Sequence, residues 1–177
     1  MKVQNLQAEQ WLGVALEMEV KGKAFYDRTA KASRNDLGRE IFTMLGNDEL
    51  IHIDRIKTIY DELVSNRAWS RGWQALAPDH PEMTGIFREL ASKHGPKITA
   101  DLADLEALDL GIEFEGRSIS FYGDHLKEAV EEMEREFLTR MLAEENGHLQ
   151  AQTDMRFYLS NPAGWLMEQE RFHEDGA

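Results

Sequence analysis

The chain has 177 residues, which suits one compact domain, and its hydrophobic content of 42% is sufficient for a packed core. Its formal net charge of −13 argues against direct binding to nucleic acid or anionic lipid, because both partners attract positively charged proteins. The chain contains no cysteine, which excludes disulfides, thiolate zinc sites, iron–sulfur clusters and thiol nucleophiles.

Four long segments have apolar residues at helical spacing and are predicted to form amphipathic helices. In chain order they cover residues 7–32, 36–64, 102–126 and 131–160. Asn35 or Asp36 can cap the first turn of the second helix. Asn161 and Pro162 end the fourth helix, because proline disrupts a helix interior.

Residues 66–100, between the second and third helices, differ in composition from the rest of the chain. They contain three of the four prolines, two of the four tryptophans and one short predicted helix near residues 81–94. A connection of this length suits a crossover that travels the length of a helical bundle. We therefore predict a single all-α domain at residues 1–160 that contains this crossover, followed by a C-terminal tail at residues 161–177.

An internal repeat relates the two predicted halves. A shift of 96 residues lays the first two helices onto the last two without a gap. Some matched positions are polar residues on faces that should be buried, which helix-forming composition alone would not produce. The chain therefore consists of two copies of one helical hairpin, since a solenoid needs at least three repeats. The identities include Leu6/Leu102, Leu12/Leu108, Glu17/Glu113, Glu19/Glu115, Phe25/Phe121, Tyr26/Tyr122, Lys31/Lys127, Arg39/Arg135, Glu40/Glu136, Thr43/Thr139, Glu49/Glu145 and His52/His148.

The pattern Glu-x-x-His occurs once in each repeat, with Glu49 and His52 in the first and Glu145 and His148 in the second. On a helix, residues i and i+3 point to nearly the same side, so each pair presents a carboxylate and an imidazole together. The helix face that carries each pair is otherwise apolar. The doubled spacing and the inward face distinguish these pairs from a chance occurrence on the surface.

Each hairpin adds one more glutamate, Glu19 or Glu115, 30 residues before the glutamate of its Glu-x-x-His pair. Both partners lie about 15 residues from the predicted hairpin turn, so at about 1.5 Å per residue they meet at the same height in the bundle. Glu17 and Glu113 are the competing candidates. Periodicity favours Glu19 and Glu115, because their helix faces are mainly apolar, whereas the face of Glu17 is polar and charged.

Four buried carboxylates cannot all stay ionised in an apolar core without compensating charge. Two divalent cations balance them, and two neutral imidazoles complete a ligand set of the kind found in di-metal helical bundles. An oxygen-rich set with only two nitrogens favours iron or manganese over zinc. The sequence thus predicts two iron ions, or alternatively two manganese ions, bound by Glu19, Glu49, His52, Glu115, Glu145 and His148.

These motifs resemble those of the rubrerythrin branch of the ferritin-like superfamily. The resemblance covers the four long helices and depends on Glu19-x6-Tyr26, Glu49-x2-His52, Glu115-x6-Tyr122 and Glu145-x2-His148. It implies a ferritin-like four-helix bundle in which the crossover joins a parallel second and third helix. It also implies that Glu49 and Glu145 bridge the two irons, while Glu19 and Glu115 each bind one.

The resemblance further implies that hydrogen peroxide is reduced with electrons from a redox partner. Rubrerythrins proper carry a rubredoxin-like iron site of four cysteines, which this chain lacks, so we expect a separate electron-donor protein. They also carry an extra glutamate one turn beyond the ligand on the third helix, where this chain has Ser118. That second departure bears directly on the family's peroxide mechanism.

Several neighbouring residues have two interpretations. Tyr26 and Tyr122 are either core aromatics or residues whose hydroxyls bond a metal-bound carboxylate, and we retain them as candidate catalytic residues. Asp48 and Glu144 are predicted to be solvated, with a contact to a histidine ring nitrogen as the alternative.

The remaining histidines and tryptophans lack a metal-ligand pattern. His80, His94 and His125 are predicted to lie on the surface, and so is the third Glu-x-x-His copy in the tail, which ends at His173. The tryptophans Trp69, Trp73 and Trp165 are expected to anchor the crossover and the tail, or to form a subunit contact.

The leading functional hypothesis is an oxidoreductase that reduces hydrogen peroxide or dioxygen at a di-iron centre. The alternatives are a ferroxidase or iron-handling protein, manganese catalase-like dismutation, and a bundle whose metals are purely structural. The first ten residues lack the apolar stretch of a signal peptide, and no run approaches the roughly 18 apolar residues of a membrane span. We therefore expect a cytoplasmic homodimer without nucleic-acid or membrane partners.

Overall fold

The computed structural model describes residues 2–66, 68–78, 80, 82–98 and 102–175. Its helices are α1 (Lys2–Ala32), α2 (Asp36–Asn66), α3 (Met83–His94), α4 (Leu102–Glu128), α5 (Glu132–Ser160) and α6 (Pro162–Asp175), with short 3-10 turns at Gly72–Ala75 and Gly95–Lys97. None of the residues described lies in a β-strand, so the prediction of an all-α fold is confirmed. None of the described helices has both the length and the apolar character needed to cross a membrane.

The long helices pair as two hairpins, α1 with α2 and α4 with α5. In the first hairpin Asn35 is the residue that caps α2, because its side-chain oxygen accepts a hydrogen bond from the Gly38 amide at 2.6 Å. A side chain at Gly38 would place its Cβ 2.5 Å from the Ser33 hydroxyl, so glycine is what allows the turn to close tightly here. Turn chemistry thus sets where the second helix of the repeat begins.

The crossover follows α5 from one end to the other. Near its start Trp73 packs against Phe137, in the second turn of α5, with ring centroids 5.4 Å apart. Near its finish the Gly95 carbonyl accepts a hydrogen bond at 2.6 Å from the hydroxyl of Tyr158, close to the end of α5. The predicted short helix is α3; Pro81, at the predicted start, lies outside the described residues.

The direction of α4 follows from a contact at the beginning of that helix. The Asn35 amide donates a hydrogen bond at 2.6 Å to Asp104, which places the start of α4 beside the turn between α1 and α2. Because α2 starts at the same end of the bundle, α2 and α4 are parallel. This is the connection that the resemblance implies.

Two hydrophobic clusters fill the two halves of the bundle. One contains Phe42 and Tyr158 among others, and the second contains Ile59 and Phe137. Burying one such large side chain stabilises the fold by roughly 1.5–3 kcal/mol. Each of the four long helices contributes residues to both clusters, and the predicted metal ligands lie in the interval between them. Apolar packing on both sides therefore fixes the height of the polar layer.

The segment beyond α5, predicted as a tail, is helical over Pro162–Asp175. Pro162 ends α5, but it also begins α6, because the first position of a helix tolerates a missing amide proton. The Asn161 side-chain oxygen accepts a hydrogen bond from the Gly164 amide at 3.0 Å and so caps the new helix. Trp165 is only 1% exposed and packs against Phe87, which anchors α6 to the crossover.

His125, which was expected to lie on the surface, is only half-exposed. Its ring stacks on Trp11 with centroids 5.1 Å apart and meets Phe121 at 4.6 Å, which leaves the imidazole partly buried. Trp69, at the start of the crossover, lies 6.1 Å from Trp11. The position of His125 depends on a partner from α1, which the sequence of α4 alone does not indicate. His94 is exposed, as predicted.

Candidate metal centre

Six polar side chains meet between the two clusters, and none is more than 2% exposed. They are Glu19, Glu49, His52, Glu115, Glu145 and His148. The competing acids point outward, since the side chains of Glu17 and Glu113 are 78% and 58% exposed. The structure therefore brings together all six residues that the sequence nominates, on the helix faces that periodicity predicts.

The six residues form two overlapping groups whose ligand atoms all lie within 4.8 Å of one another. One group consists of Glu19, Glu49, His52 and Glu145, and the other of Glu49, Glu115, Glu145 and His148. Two glutamates, Glu49 and Glu145, belong to both groups. This arrangement has room for two cations side by side, with one carboxylate from each repeat between them.

The unsatisfied atoms of the centre fit cations. Buried oxygens of Glu49, Glu115 and Glu145, together with Nδ1 of His148, have no hydrogen-bond partner among the described residues. A buried polar atom without a partner destabilises a fold by roughly 1–3 kcal/mol. A divalent ion bound by these oxygen and nitrogen atoms would remove that cost, and the donor set of four carboxylates and two imidazoles suits iron or manganese.

The acids of the centre differ in the direction of their pKa shifts. Burial raises the pKa of Glu49 well above its usual value, and the charge of Glu19 raises it further. Burial likewise raises the pKa of Glu115, with the charge of Glu145 adding to the effect. For Glu145 burial acts in the same direction, but the charge of His52 outweighs it and the pKa is lowered. Without metal, the centre therefore retains protons that a cation must displace.

Both imidazoles favour the protonated form in the absence of metal. Burial alone would lower the pKa of His52, but the charge of Glu145 and the contact with Glu144 raise it well above its usual value. Burial opposes protonation of His148 in the same way, and the hydrogen bond to Asp48 reverses the direction. Metal binding must release these protons too, so the metal affinity of the centre rises with pH.

Each imidazole is oriented by an acid from the other repeat. His148 Nε2 lies 3.0 Å from Asp48, and His52 Nε2 lies 3.0 Å from Glu144. Because a carboxylate accepts the Nε2 proton, Nδ1 of each ring is the nitrogen that faces the candidate ligand carboxylates. Asp48 is 3% exposed and the Glu144 side chain 15% exposed, so the prediction that both are solvated is wrong and the alternative contact is correct.

Two arginines bind Glu144. Arg55 is 1% exposed; it donates to both carboxylate oxygens, one of them at 3.2 Å through Nη2, and Arg140 donates to the same group. Nε of Arg55 also donates to the Leu76 carbonyl of the crossover at 2.8 Å. Burial opposes ionisation of Glu144, but the bonds from His52 and Arg55 hold its pKa well below the usual value. The crossover thus supports His52 through Arg55 and Glu144.

Asp48 has a different support. Its second oxygen lies 2.8 Å from His80 Nε2, so the prediction of a surface role for His80 is wrong. The His80 side chain is 14% exposed and lines a cavity of about 270 Å³, together with Pro78, Glu144 and His148. A second crossover residue therefore supports the second imidazole, at a place where the protein opens towards solvent.

The outer contacts break the symmetry of the repeat. Ala151 is the repeat counterpart of Arg55, and Met44 is the counterpart of Arg140. Among the residues that the structure describes, Asp48 has no arginine pair like that of Glu144, although the inner ligands of the two halves are identical. The two candidate metal positions therefore have the same types of ligand, but the residues that support those ligands differ.

The tyrosine hydroxyls also cross between repeats. Tyr26 donates to Glu115 and Tyr122 donates to Glu19, so each contacts a candidate ligand of the opposite hairpin. Burial, followed by the charge of the bonded glutamate, raises the pKa of both tyrosines, so both hydroxyls keep their protons. Both rings belong to the hydrophobic clusters and both hydroxyls contact a candidate ligand carboxylate, so the two interpretations are compatible. Gln152 adds hydrogen bonds to Tyr26 at 2.9 Å and to Glu115 at 3.0 Å.

Ser118 lies where the resemblance would place another glutamate. It is 1% exposed and its hydroxyl donates at 3.4 Å to the Phe114 carbonyl of its own helix. Gly22 is its repeat counterpart, and a Cβ there would lie 2.9 Å from the Phe114 ring and 3.3 Å from the carboxyl carbon of Glu49. Neither position supplies a carboxylate, and close packing of Gly22 limits the space on that side of Glu49.

Sequence reasoning missed two contributors, Arg55 and Gln152. Each leaves a signal, because Arg55 follows His52 by three residues and Gln152 follows His148 by four, so both are polar groups on a buried helix face. A side chain at Gly111 would overlap the amide of Gln152, which shows that small residues were needed to admit it. The partners of both residues come from other parts of the chain, namely other helices and the crossover.

The chain was compared with known protein families, curated proteins and solved structures. A family model described as Rubrerythrin matches residues 10–155, which include all six candidate ligands and the crossover. No curated protein and no solved structure matches the chain.

Proposed function

The chain belongs to the rubrerythrin family, and on that premise we propose that it is a di-iron oxidoreductase that reduces hydrogen peroxide or dioxygen with electrons from a separate donor. The observation that supports this function best is the pair of overlapping ligand groups buried between the hydrophobic clusters. A purely structural polar core would not leave so many carboxylate oxygens without partners.

In this proposal Glu49 and Glu145 would be shared by the two ions, because they belong to both groups. Glu19 and His52 would hold one ion, and Glu115 and His148 would hold the other. A pair of bound iron ions would supply a reversible change between ferrous and ferric states, which accounts for the two electrons needed to reduce peroxide. The oxygen-rich donor set favours iron, with manganese as the alternative.

The protein's own residues prepare the centre for that chemistry. Asp48 and Glu144 hold the imidazoles in one orientation, so the ligand geometry exists before metal arrives. The two hydrophobic clusters exclude water from both ends of the centre. The protonated hydroxyls of Tyr26 and Tyr122 lie against Glu115 and Glu19, where they can give a proton to oxygen-containing substrates bound beside those acids.

Ser118 affects which oxidant is used. Ser118 bonds its own helix and brings no carboxylate to the centre, whereas the hydroxyls of Tyr26 and Tyr122 are buried proton donors in contact with two candidate ligands. We therefore retain dioxygen beside hydrogen peroxide as a substrate, and the test compares the two directly.

The test combines elemental analysis with optical spectra of the reduced protein before and after each oxidant. We expect two iron ions per chain and a spectral change on oxidation that a reductant reverses. Bound metal without a spectral response to either oxidant would contradict the proposal and indicate a structural role. Oxygen release from peroxide without a reductant would instead indicate dismutation.

A second measurement separates redox catalysis from iron storage. Storage requires a closed shell of many subunits, whereas we propose a homodimer. A native mass corresponding to a large shell, together with retained iron beyond two ions per chain, would contradict the redox proposal.

A further inference from the structure

A second cavity, of about 420 Å³, opens at the end of the bundle where α1 begins and α4 ends. Its walls include the rings of Trp11, Trp69, Phe121 and His125. Its volume falls within the range of small-molecule sites, which is roughly 300–1,000 Å³. The ligand residue Glu115 precedes His125 by ten residues, about 15 Å along α4. The cavity is therefore separate from the metal centre.

The charge of this cavity is negative. Glu128, Glu131 and Glu134 line it, and none of the lining residues that the structure describes is lysine or arginine. Burial raises the pKa of Glu134, and a hydrogen bond from Trp11 opposes that shift. Carboxylates beside aromatic rings attract organic cations, through charge and through the negative faces of the rings.

An unbroken series of ring contacts leads from this cavity to the metal centre. Trp11 stacks on His125 with centroids 5.1 Å apart, and His125 meets Phe121 at 4.6 Å. Phe121 lies 5.5 Å from Tyr122, whose hydroxyl donates to the candidate ligand Glu19. Aromatic π systems bridge distance for electrons better than saturated side chains do.

The internal repeat supplies a comparison within the same molecule. At the counterparts of Trp11 and His125 the other repeat unit has Ala107 and Thr29, which cannot form such a series. At the counterparts of the three cavity glutamates, the first repeat has Ala32, Asn35 and Gly38. The aromatic series and the acidic rim are therefore present together at one end of the bundle and absent together from the equivalent positions.

We propose that this cavity binds a flat organic cation that carries electrons, and that His125, Phe121 and Tyr122 conduct those electrons to the metal centre. The electron-transfer part of this proposal, called the conduction half, rests on the proposed function. The part that concerns cation binding does not. Two carrier molecules each lose one electron, and hydrogen peroxide takes up these two electrons with two protons to form two molecules of water. No covalent bond forms between the carrier and the protein.

The first experiment tests binding in the metal-free protein, with methyl viologen as the flat dication and calorimetry as the measurement. We expect saturable binding of one dication that weakens with added salt. Glu128→Gln combined with Glu131→Gln removes two exposed charges and should weaken binding about fivefold. The control combines Glu40→Gln with Glu106→Gln, which makes the same charge change at exposed positions at the other end and should leave binding unaltered. If the dication does not bind, or if both double variants weaken its binding equally, the proposal that this cavity binds an organic cation is refuted.

The second experiment tests conduction in the iron-loaded protein with reduced methyl viologen at saturating concentration. Phe121 also lines the cavity, so the dication concentration is first raised until calorimetry shows that Phe121→Leu is saturated. At that concentration Phe121→Leu should still lose the fast phase of reduction. The control is Phe25→Leu, the repeat counterpart, which should keep the fast phase. Equal rates in the two variants overturn the conduction half. If the protein binds no redox-active metal, the proposed function and the conduction half are both refuted. The calorimetry with metal-free protein then tests cation binding at the cavity independently.

Discussion

Replacement of Arg55 by methionine tests whether the outer contacts control one metal position independently of the other. Arg55 is 1% exposed and donates to both oxygens of Glu144 and to the Leu76 carbonyl. Breaking a fully buried ion pair destabilises a protein by roughly 3–5 kcal/mol. Glu144 keeps its bonds from Arg140 and His52 and has some access to water, so we expect the lower end of that range, about 3 kcal/mol.

That loss should lower the melting temperature of the metal-free protein by about 6–12 °C, given roughly 2–4 °C for each kcal/mol in a chain of this length. Loss of an outer contact to a metal-binding histidine typically weakens metal binding about 10–100-fold. Since Arg55 supports His52 and not His148, we expect calorimetry to show one weakened site and one unchanged site.

The control is Arg156→Met, because Arg156 also binds a carboxylate, that of Asp109, through two nitrogens. Its side chain is 43% exposed, so the change in stability should stay within about 1 kcal/mol. Equal weakening of both metal sites by Arg55→Met, or no weakening of either, would refute the assignment of Arg55 to one position.

Three further predictions concern the ligands and their supports. Glu49→Ala should remove both metals, because Glu49 belongs to both ligand groups, whereas Glu17→Ala should remove neither; equal metal content in the two variants would overturn the face assignment. His80→Ala should weaken the site that contains His148, because among the described residues Asp48 has no hydrogen-bond partner besides His80 and that imidazole. Titration with manganese would detect one weakened site, and loss at the other site would contradict this route. Metal-free protein should lose stability as pH rises above about 4.5, because Glu49 and Glu115, whose pKa is raised, bind more protons in the folded than in the unfolded chain. The two imidazoles with raised pKa add to this loss above about pH 6.5. Glu144 and Glu145, whose pKa is lowered, act in the opposite direction, and they destabilise the fold only as the pH falls below about 4.5. Denaturant titrations should therefore find the highest free energy of unfolding at mildly acidic pH. A free energy of unfolding that does not change with pH would contradict burial of the acids.

The six candidate ligands were predictable because the sequence patterns that identify them span only a few residues and occur in both repeats. The spacing from Glu49 to His52 recurs in the second repeat, and helical periodicity alone separates Glu19 from Glu17. Two independent copies of a pattern constrain the register of each hairpin and the height at which its ligands meet. The sequence therefore determined the all-α fold and nominated the six converging residues.

The supports were not predictable because each depends on a neighbour far along the chain. Glu144 looks like an exposed acid on an isolated helix, and only the packing of α5 against α2 brings it to His52 and Arg55. His80 belongs to a segment with no helical period, so no pattern places it beside Asp48. Pro162 was interpreted as a stop signal, although the same residue also starts α6.

The imidazoles and tyrosines of each hairpin contact acids of the opposite hairpin, and this has a consequence for how the two metal positions can come to differ. Two identical hairpins associated as a pair would already contain every ligand, each imidazole-orienting acid and both tyrosines, since each half completes the other. What identical halves cannot contain is a difference between their two ions. Joining the halves in one gene permits Arg55 to arise without a partner at position 151, so that a single substitution adjusts one ion while its neighbour is left as it was.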